Sequence, residues 1–158
     1  LGDGRFQETT SSLGKGFSRA RVARGAAYAD FDNDGDLDLL VTTNGGPAYL
    51  FRNDGSLNHS LRIRLRGTRS NRNGLGAVVF VRSGDAKQEQ VLRSGSSYLS
   101  QSELVLTFGL GGRSQADQVE VRWPSGQIDW IKTVAAVQTV TVEEGKGIVV
   151  ARPFTPRR

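Results

Sequence analysis

The chain has 158 residues, 37% of them hydrophobic and 23% charged, a size suited to one domain or two small ones. Cysteine and methionine are both absent, which excludes disulfide scaffolds, cysteine nucleophiles and thiolate metal sites, and no apolar run approaches the roughly 18 residues that cross a bilayer. A formal net charge of +5 raises acidic partners such as sulfated glycan or nucleic acid.

Opening at Leu1, with no charged stretch that leads into an apolar run, the chain reads as a mature product or a fragment. Alternating and β-branched segments predict strands over 26–31, 37–43, 48–52, 61–66, 77–82 and 88–93, then over 103–108, 118–123, 127–131, 138–143 and 147–151. Turn residues separate them: Asn44-Gly45-Gly46-Pro47, Asn53-Asp54-Gly55, Asn73-Gly74, Gly111-Gly112 and Pro124-Ser125-Gly126. Few windows carry a helical apolar period, so the expected class is all-β. Composition shifts near Ser56–Ser60, which divides the chain into a glycine-rich hairpin segment at 1–57, a β-domain at 58–150 and a basic tail at 151–158. Few-stranded sheets are marginal alone, so the first segment is expected to pack on the second or on another molecule.

In the hairpin segment, Asp30, Asp32, Asp34, Asp36 and Asp38 recur at every second position around Gly35. Bare, these charges repel one another. Calcium takes six to eight hard oxygens, and a tight loop delivers them from positions 1, 3 and 5, a backbone carbonyl at 7 and a carboxylate at 9. Here those are Asp30, Asp32, Asp34, the Asp36 carbonyl and Asp38, with Gly35 at the sixth position where the chain bends around an ion. An EF-hand would need a bidentate glutamate at position 12 and flanking helices; Val41 and strand-like flanks stand there instead. Magnesium, which keeps several waters, suits the pattern less well, and the metal-free alternative is an aspartate-rich turn.

The run Tyr28-Ala29-Asp30-Phe31-Asp32-Asn33-Asp34-Gly35-Asp36-Leu37-Asp38-Leu39-Leu40-Val41 resembles an FG-GAP/VCBS repeat, the calcium-loop blade of integrin-α-like β-propellers. Farther on, Asn71-Arg72-Asn73-Gly74-Leu75-Gly76-Ala77, Arg93-Ser94-Gly95-Ser96-Ser97-Tyr98-Leu99-Ser100-Gln101, Phe108-Gly109-Leu110-Gly111 and Val119-Glu120-Val121-Arg122-Trp123-Pro124-Ser125-Gly126 resemble the ASPIC/UnbV domain. The resemblance implies a propeller-blade-like hairpin followed by a β-sandwich or barrel-like ASPIC/UnbV domain, in an extracellular, calcium-binding, non-catalytic protein. It also carries the ligand roles onto Asp30, Asp32, Asp34, Asp36 and Asp38.

Other residues carry weaker signals. Arg62, Arg64 and Arg66 share one strand face, opposite Leu61, Ile63 and Leu65, and with Arg69 and Arg72 they are candidates for an anion-binding stripe. The plainer alternative is a solvated face with cross-strand charge pairs. Trp123, Trp130 and Tyr98 are candidate glycan contacts, although Val119 and Val121 run in phase with Trp123 and favour packing in the core for it. The 93–98 segment reads as a ligand-contact surface or as a turn whose hydroxyls satisfy backbone groups. His59, the single histidine, has no recognisable partner, and no nucleophile-elbow pattern is present. Adjacent Glu143 and Glu144 point to opposite faces of a strand, which argues against a glycosidase pair, so no catalytic residue is assigned.

The expected function is an extracellular calcium-binding module for adhesion or interaction with a protein or glycan partner, its calcium structural, with homo-oligomerisation through the N-terminal repeat as a further expectation. The alternative is a carbohydrate-binding module or an accessory part of a polysaccharide-degrading enzyme. Nucleic acid has no further support, because no aromatics interleave with the arginines.

Overall fold

Period-two alternation of apolar and polar residues produces extended chain wherever one face can be buried. The computed structural model describes residues 5–55 and 58–156, and among these it contains eleven strands. They are β1 (Ala23–Ala29), β2 (Asp38–Thr43), β3 (Tyr49–Phe51), β4 (His59–Arg66), β5 (Val78–Ser83), β6 (Ala86–Val91), β7 (Val105–Gly111), β8 (Gln115–Arg122), β9 (Ile128–Ala135), β10 (Gln138–Glu143) and β11 (Gly147–Pro153). Each of the eleven predicted segments overlaps one of them. β1 ends two residues earlier than expected, at Ala29, because the next two residues are drawn into the aspartate loop. A 3₁₀ turn at Thr10–Ser12 and one helical turn at Lys15–Ser18 carry no apolar period and were not expected. The predicted boundary at Ser56–Ser60 falls partly on residues outside those described.

The fold class is all-β. Two four-stranded sheets, ordered β11-β10-β4-β7 and β6-β5-β8-β9, face each other as a sandwich, and a third sheet runs β1-β2-β3. Every pairing is antiparallel except that of β4 with β10, which is parallel. Leu61, Ile63, Leu65, Leu106, Phe108, Val140 and Val142 point inward from the first sheet. Val79, Val81, Ala116, Val119, Val121 and Val134 meet them from the second. Each large side chain buried this completely stabilises the fold by about 1.5–3 kcal/mol relative to its exposure.

Among the described residues, no buried hydrophobic side chain lies before Leu61. The three-stranded sheet therefore contributes nothing to the sandwich core and is attached by polar contacts. One of its two edges is β1, along which the amides of Ala26, Tyr28 and, just past the strand, Asp30 donate to Ser97 Oγ (3.2 Å), Ser102 Oγ (3.2 Å) and Glu103 Oε1 (3.1 Å). The Glu103 amide returns a bond to the Tyr28 carbonyl at 3.0 Å. Side-chain oxygens of the 97–103 segment thus take the place of a fourth strand, which satisfies backbone donors that would otherwise form an open edge.

Candidate metal centre and its buried arginine

Between β1 and β2 the chain turns tightly around its own aspartates. Asn33 and Gly35 adopt left-handed backbone, with φ of 59° and 95°. The Asp30 carboxylate accepts from the amides of Asp34 (3.0 Å) and Gly35 (2.9 Å), and the Asp38 carboxylate from those of Phe31 (2.9 Å) and Asn53 (2.7 Å). Asp34 Oδ1 accepts from the Asp36 amide at 3.0 Å. Carboxylate oxygens of Asp30, Asp32 and Asp38 lie within 4.8 Å of one another. Asp34 is 2% exposed, and its second oxygen, Oδ2, is buried with no hydrogen-bond partner among the described residues. Burial raises the Asp34 pKa above the ordinary aspartate value; the Asp36 amide opposes this, and the charges of Asp32, Asp30 and Asp38 add to it.

An all-oxygen donor set with one orphaned, buried carboxylate oxygen fits a hard divalent cation, because such an ion supplies what the protein does not. Asp30, Asp32 and Asp38 would hold it with their carboxylates. Asp34 and Asp36 are not within the same close group of oxygens; Asp34 is buried beside it and Asp36 is half-buried.

The loop rests on the outer face of β4. Arg62, 4% exposed, directs Nη1 to Asp30 Oδ2 at 2.8 Å and Nη2 to both oxygens of Glu103 at 2.7 and 2.6 Å. Glu103 also accepts the Asp30 amide. One guanidinium therefore joins a loop aspartate, the segment lying along β1, and the sandwich. Ser60 Oγ donates to the Gly35 carbonyl at 2.8 Å, and Gly35 lies so close to the Phe154 ring that a Cβ there would fall 2.1 Å from Cε2.

The remaining arginines of the predicted stripe divide. Arg66 pairs with Glu143 at 2.6 Å, whereas Arg64, Arg69 and Arg72 have exposed side chains with no acidic partner among the described residues. The tryptophans also part company. Trp123 is 4% exposed and donates Nε1–H to Asp129 at 2.7 Å, inside the core, whereas Trp130 is 59% exposed. Tyr98 is exposed with Arg24 stacked on its ring. His59 sets Nδ1 2.8 Å from the Arg113 carbonyl.

Two carboxylates that sequence reasoning left without a role act as clasps. Glu144 Oε2 accepts the amides of Thr68 (2.8 Å), Arg69 (2.7 Å) and Ser70 (2.8 Å), while Oε1 accepts from the hydroxyls of Ser70 (2.8 Å) and Ser125. Burial works to raise its pKa, but the bonds from Ser125 and the three amides outweigh that and hold it well below the usual carboxylate range. Asp129 Oδ2 takes Trp123 Nε1–H and the Gly145 amide, the latter at 2.9 Å. Together they fasten the 67–72 loop and the β8–β9 turn to the end of β10. The available signal was a serine in each turn, which marks hydroxyl bonding without naming its acceptor.

That clasped region coincides with a match to known proteins. Residues 67–149, more than half of the chain, match the family model described as ASPIC and UnbV. The chain belongs to the ASPIC and UnbV family. The ASPIC/UnbV match spans β5 to β10 and the first three residues of β11, so it covers all of one sandwich sheet and, in the other, leaves out β4. Cartilage acidic protein 1 of Mus musculus and of Homo sapiens are each 38% identical to the chain over 109 residues, 66% of this chain. The Xenopus tropicalis protein of the same name is 36% identical over 109 residues. The chain spans only 16–17% of the length of these relatives.

Proposed function

We propose that this chain is a non-catalytic interaction module of an extracellular protein, in which an FG-GAP/VCBS-type loop binds calcium and the ion braces the loop against the ASPIC/UnbV sandwich. The observation that carries the reading is the close group of Asp30, Asp32 and Asp38 oxygens beside the unpartnered Asp34 Oδ2. Calcium bound there would neutralise the clustered carboxylates and accept their oxygens as ligands. This chain supplies the rest: Gly35 makes the bend, and Arg62 fixes Asp30 to β4 so that a change in the loop reaches the sandwich. Among the acids outside the loop, Glu103, Glu120, Glu143 and Glu144 are each committed to ion pairs or hydrogen bonds, which supports structural roles for these four. The extracellular setting rests on family resemblance. The interaction itself falls to a protein or glycan partner.

Calorimetric titration of calcium into chelator-treated protein tests the reading, with Asp38→Asn as control. Heat of binding that the substitution abolishes is the expected result; no heat from the unsubstituted protein removes the metal. A second reading, a carbohydrate-binding module, draws on one observation: Trp130 stands 59% exposed on the outer face of the β6-β5-β8-β9 sheet. Loss of neutral-glycan binding in Trp130→Ala would favour it.

A further inference from the structure

We propose that the outer face of the β11-β10-β4 sheet, beside the aspartate loop, is a groove for an anionic polysaccharide, held by Arg64 and Arg152. The inference rests on neither the calcium site nor Trp130. The groove, about 790 Å³, has Thr139 and Thr141 in its floor, the loop residues Asp32 and Asp34 at one wall and the Phe154–Pro156 strap at another. A second groove of about 370 Å³ shares Arg64 and Thr141 with it and continues to Arg66 and Arg72.

Strand register places the charges. Across the sheet, Arg62, Thr139 and Arg152 stand in one row, and Arg64, Thr141 and Val150 in the next on the same face. Arg62 is spent on Asp30 and Glu103, and Arg66 on Glu143. Arg64 and Arg152 are exposed and have no acidic partner among the described residues. With strands about 4.8 Å apart and about 3.4 Å per residue, their Cα atoms lie on the order of 10 Å from each other across β10. Two guanidinium forks at that separation match negative groups repeated along a chain better than one isolated ion, and each fork suits a sulfate or a carboxylate.

Hydroxyl side chains between the forks complete a surface for sugar hydroxyls. A peptide laid over this face would find no free main-chain groups on β4 or β10, which are interior strands with both edges paired. Nucleic acid would lack a stacking platform, since the one aromatic ring in the groove, Phe154, is packed on Gly35.

Fluorescence anisotropy with labelled heparin oligosaccharide, at low and at physiological ionic strength, tests the proposal on the full chain. Arg64→Gln/Arg152→Gln is compared with the charge-matched Arg82→Gln/Arg93→Gln, whose arginines are also exposed but lie outside the groove. Loss of affinity of roughly 10- to 100-fold in the first pair, with little change in the second, is expected from removal of two charge-assisted contacts. The difference should persist in calcium and in chelator, which separates this groove from the metal reading. No binding at low ionic strength, or equal weakening by both pairs, overturns the proposal. Tighter arginine-dependent binding of labelled poly-glutamate than of heparin would overturn the choice of a glycan and assign the groove to an acidic polypeptide.

Discussion

Arg62 Nη1 lies 2.8 Å from Asp30 Oδ2, so the first carboxylate of the aspartate loop is tied to the central part of β4 in the sandwich. Among the described residues no buried core side chain comes from the loop, so this tie and its partner Glu103 join the loop to the sandwich together with the Ser60–Gly35 bond and the Phe154 ring.

Arg62→Ala leaves Asp30 and Glu103, in a partly dehydrated site, without the guanidinium they share. A destabilisation of about 3–5 kcal/mol is expected, as for one-sided removal of a buried ion pair. Arg62→Lys should recover only part of it, because a single ammonium cannot reach both carboxylates in the geometry of a fork. Urea denaturation gives the energies. Limited proteolysis should show earlier cleavage within residues 15–55 in Arg62→Ala, and an unchanged cleavage pattern would mean that the tie does not hold the hairpin in place.

Calcium should raise the melting temperature of the chelator-treated protein. At free ion a hundredfold above Kd the gain is about 2.7 kcal/mol for one site on the native state. Asp38→Asn should lose that response, and differential scanning calorimetry with and without chelator reads it.

Gly35 combines a φ of 95° with contact against the Phe154 ring, so Gly35→Ala meets both backbone strain and overlap and should cost roughly 2–4 kcal/mol. At Gly45, φ is 70°, but beyond its chain neighbours no described residue lies within 4 Å of where a Cβ would fall. Gly45→Ala should therefore cost about 1 kcal/mol, from the backbone alone. Phe154→Ala in the Gly35→Ala background removes the overlap and should return part of the loss; strictly additive urea midpoints would deny that the two side chains meet.

The clasp at Glu144 makes stability pH-dependent in one direction. Its folded pKa is depressed, so its stabilisation is present above the ordinary value of 4.5 and disappears as pH falls toward the folded value. Glu144→Gln should be less stable by about 2–3 kcal/mol at neutral pH, with three amides and two hydroxyls facing a weaker acceptor. The gap between variant and parent should narrow in acid. Equal gaps at neutral pH and below pH 4 would assign the loss to packing instead of charge.

The two tryptophans give a spectroscopic check. Emission from Trp123→Phe should come only from exposed Trp130, red-shifted and readily quenched by acrylamide. Trp130→Phe should leave a blue-shifted, protected signal. Trp123→Phe should also cost about 1–2 kcal/mol, through the lost bond to Asp129.

Strand positions were legible because period-two alternation is a local property: Leu61, Ile63 and Leu65 declare one face of β4 within six residues. The aspartate loop was legible for the same reason, since all five acids fall in one short stretch. What covers a face is a matter of long-range packing, and the alternation could not supply it. Arg62, Arg64 and Arg66 share an identical outward phase, yet the loop covers Arg62 alone and leaves Arg64 exposed. Glu103 and Glu144 act through groups distant in sequence, so neither had a local signature. In-phase valines marked Trp123 as a core residue, while Trp130 alternates in the same way along β9 and stands in solvent. The parallel pairing of β4 with β10 had no sequence signature at all.

That pairing has a consequence for biogenesis. Emerging from the ribosome, β4 can meet β7 early, but its other margin waits for β10, near the far end of the chain. The middle of the sheet is thus completed late, by contacts of high sequence separation, the kind that slow two-state folding. Until then nascent β4 exposes a Leu-Ile-Leu stripe and an unpaired margin, and chaperone demand during synthesis should fall on this strand.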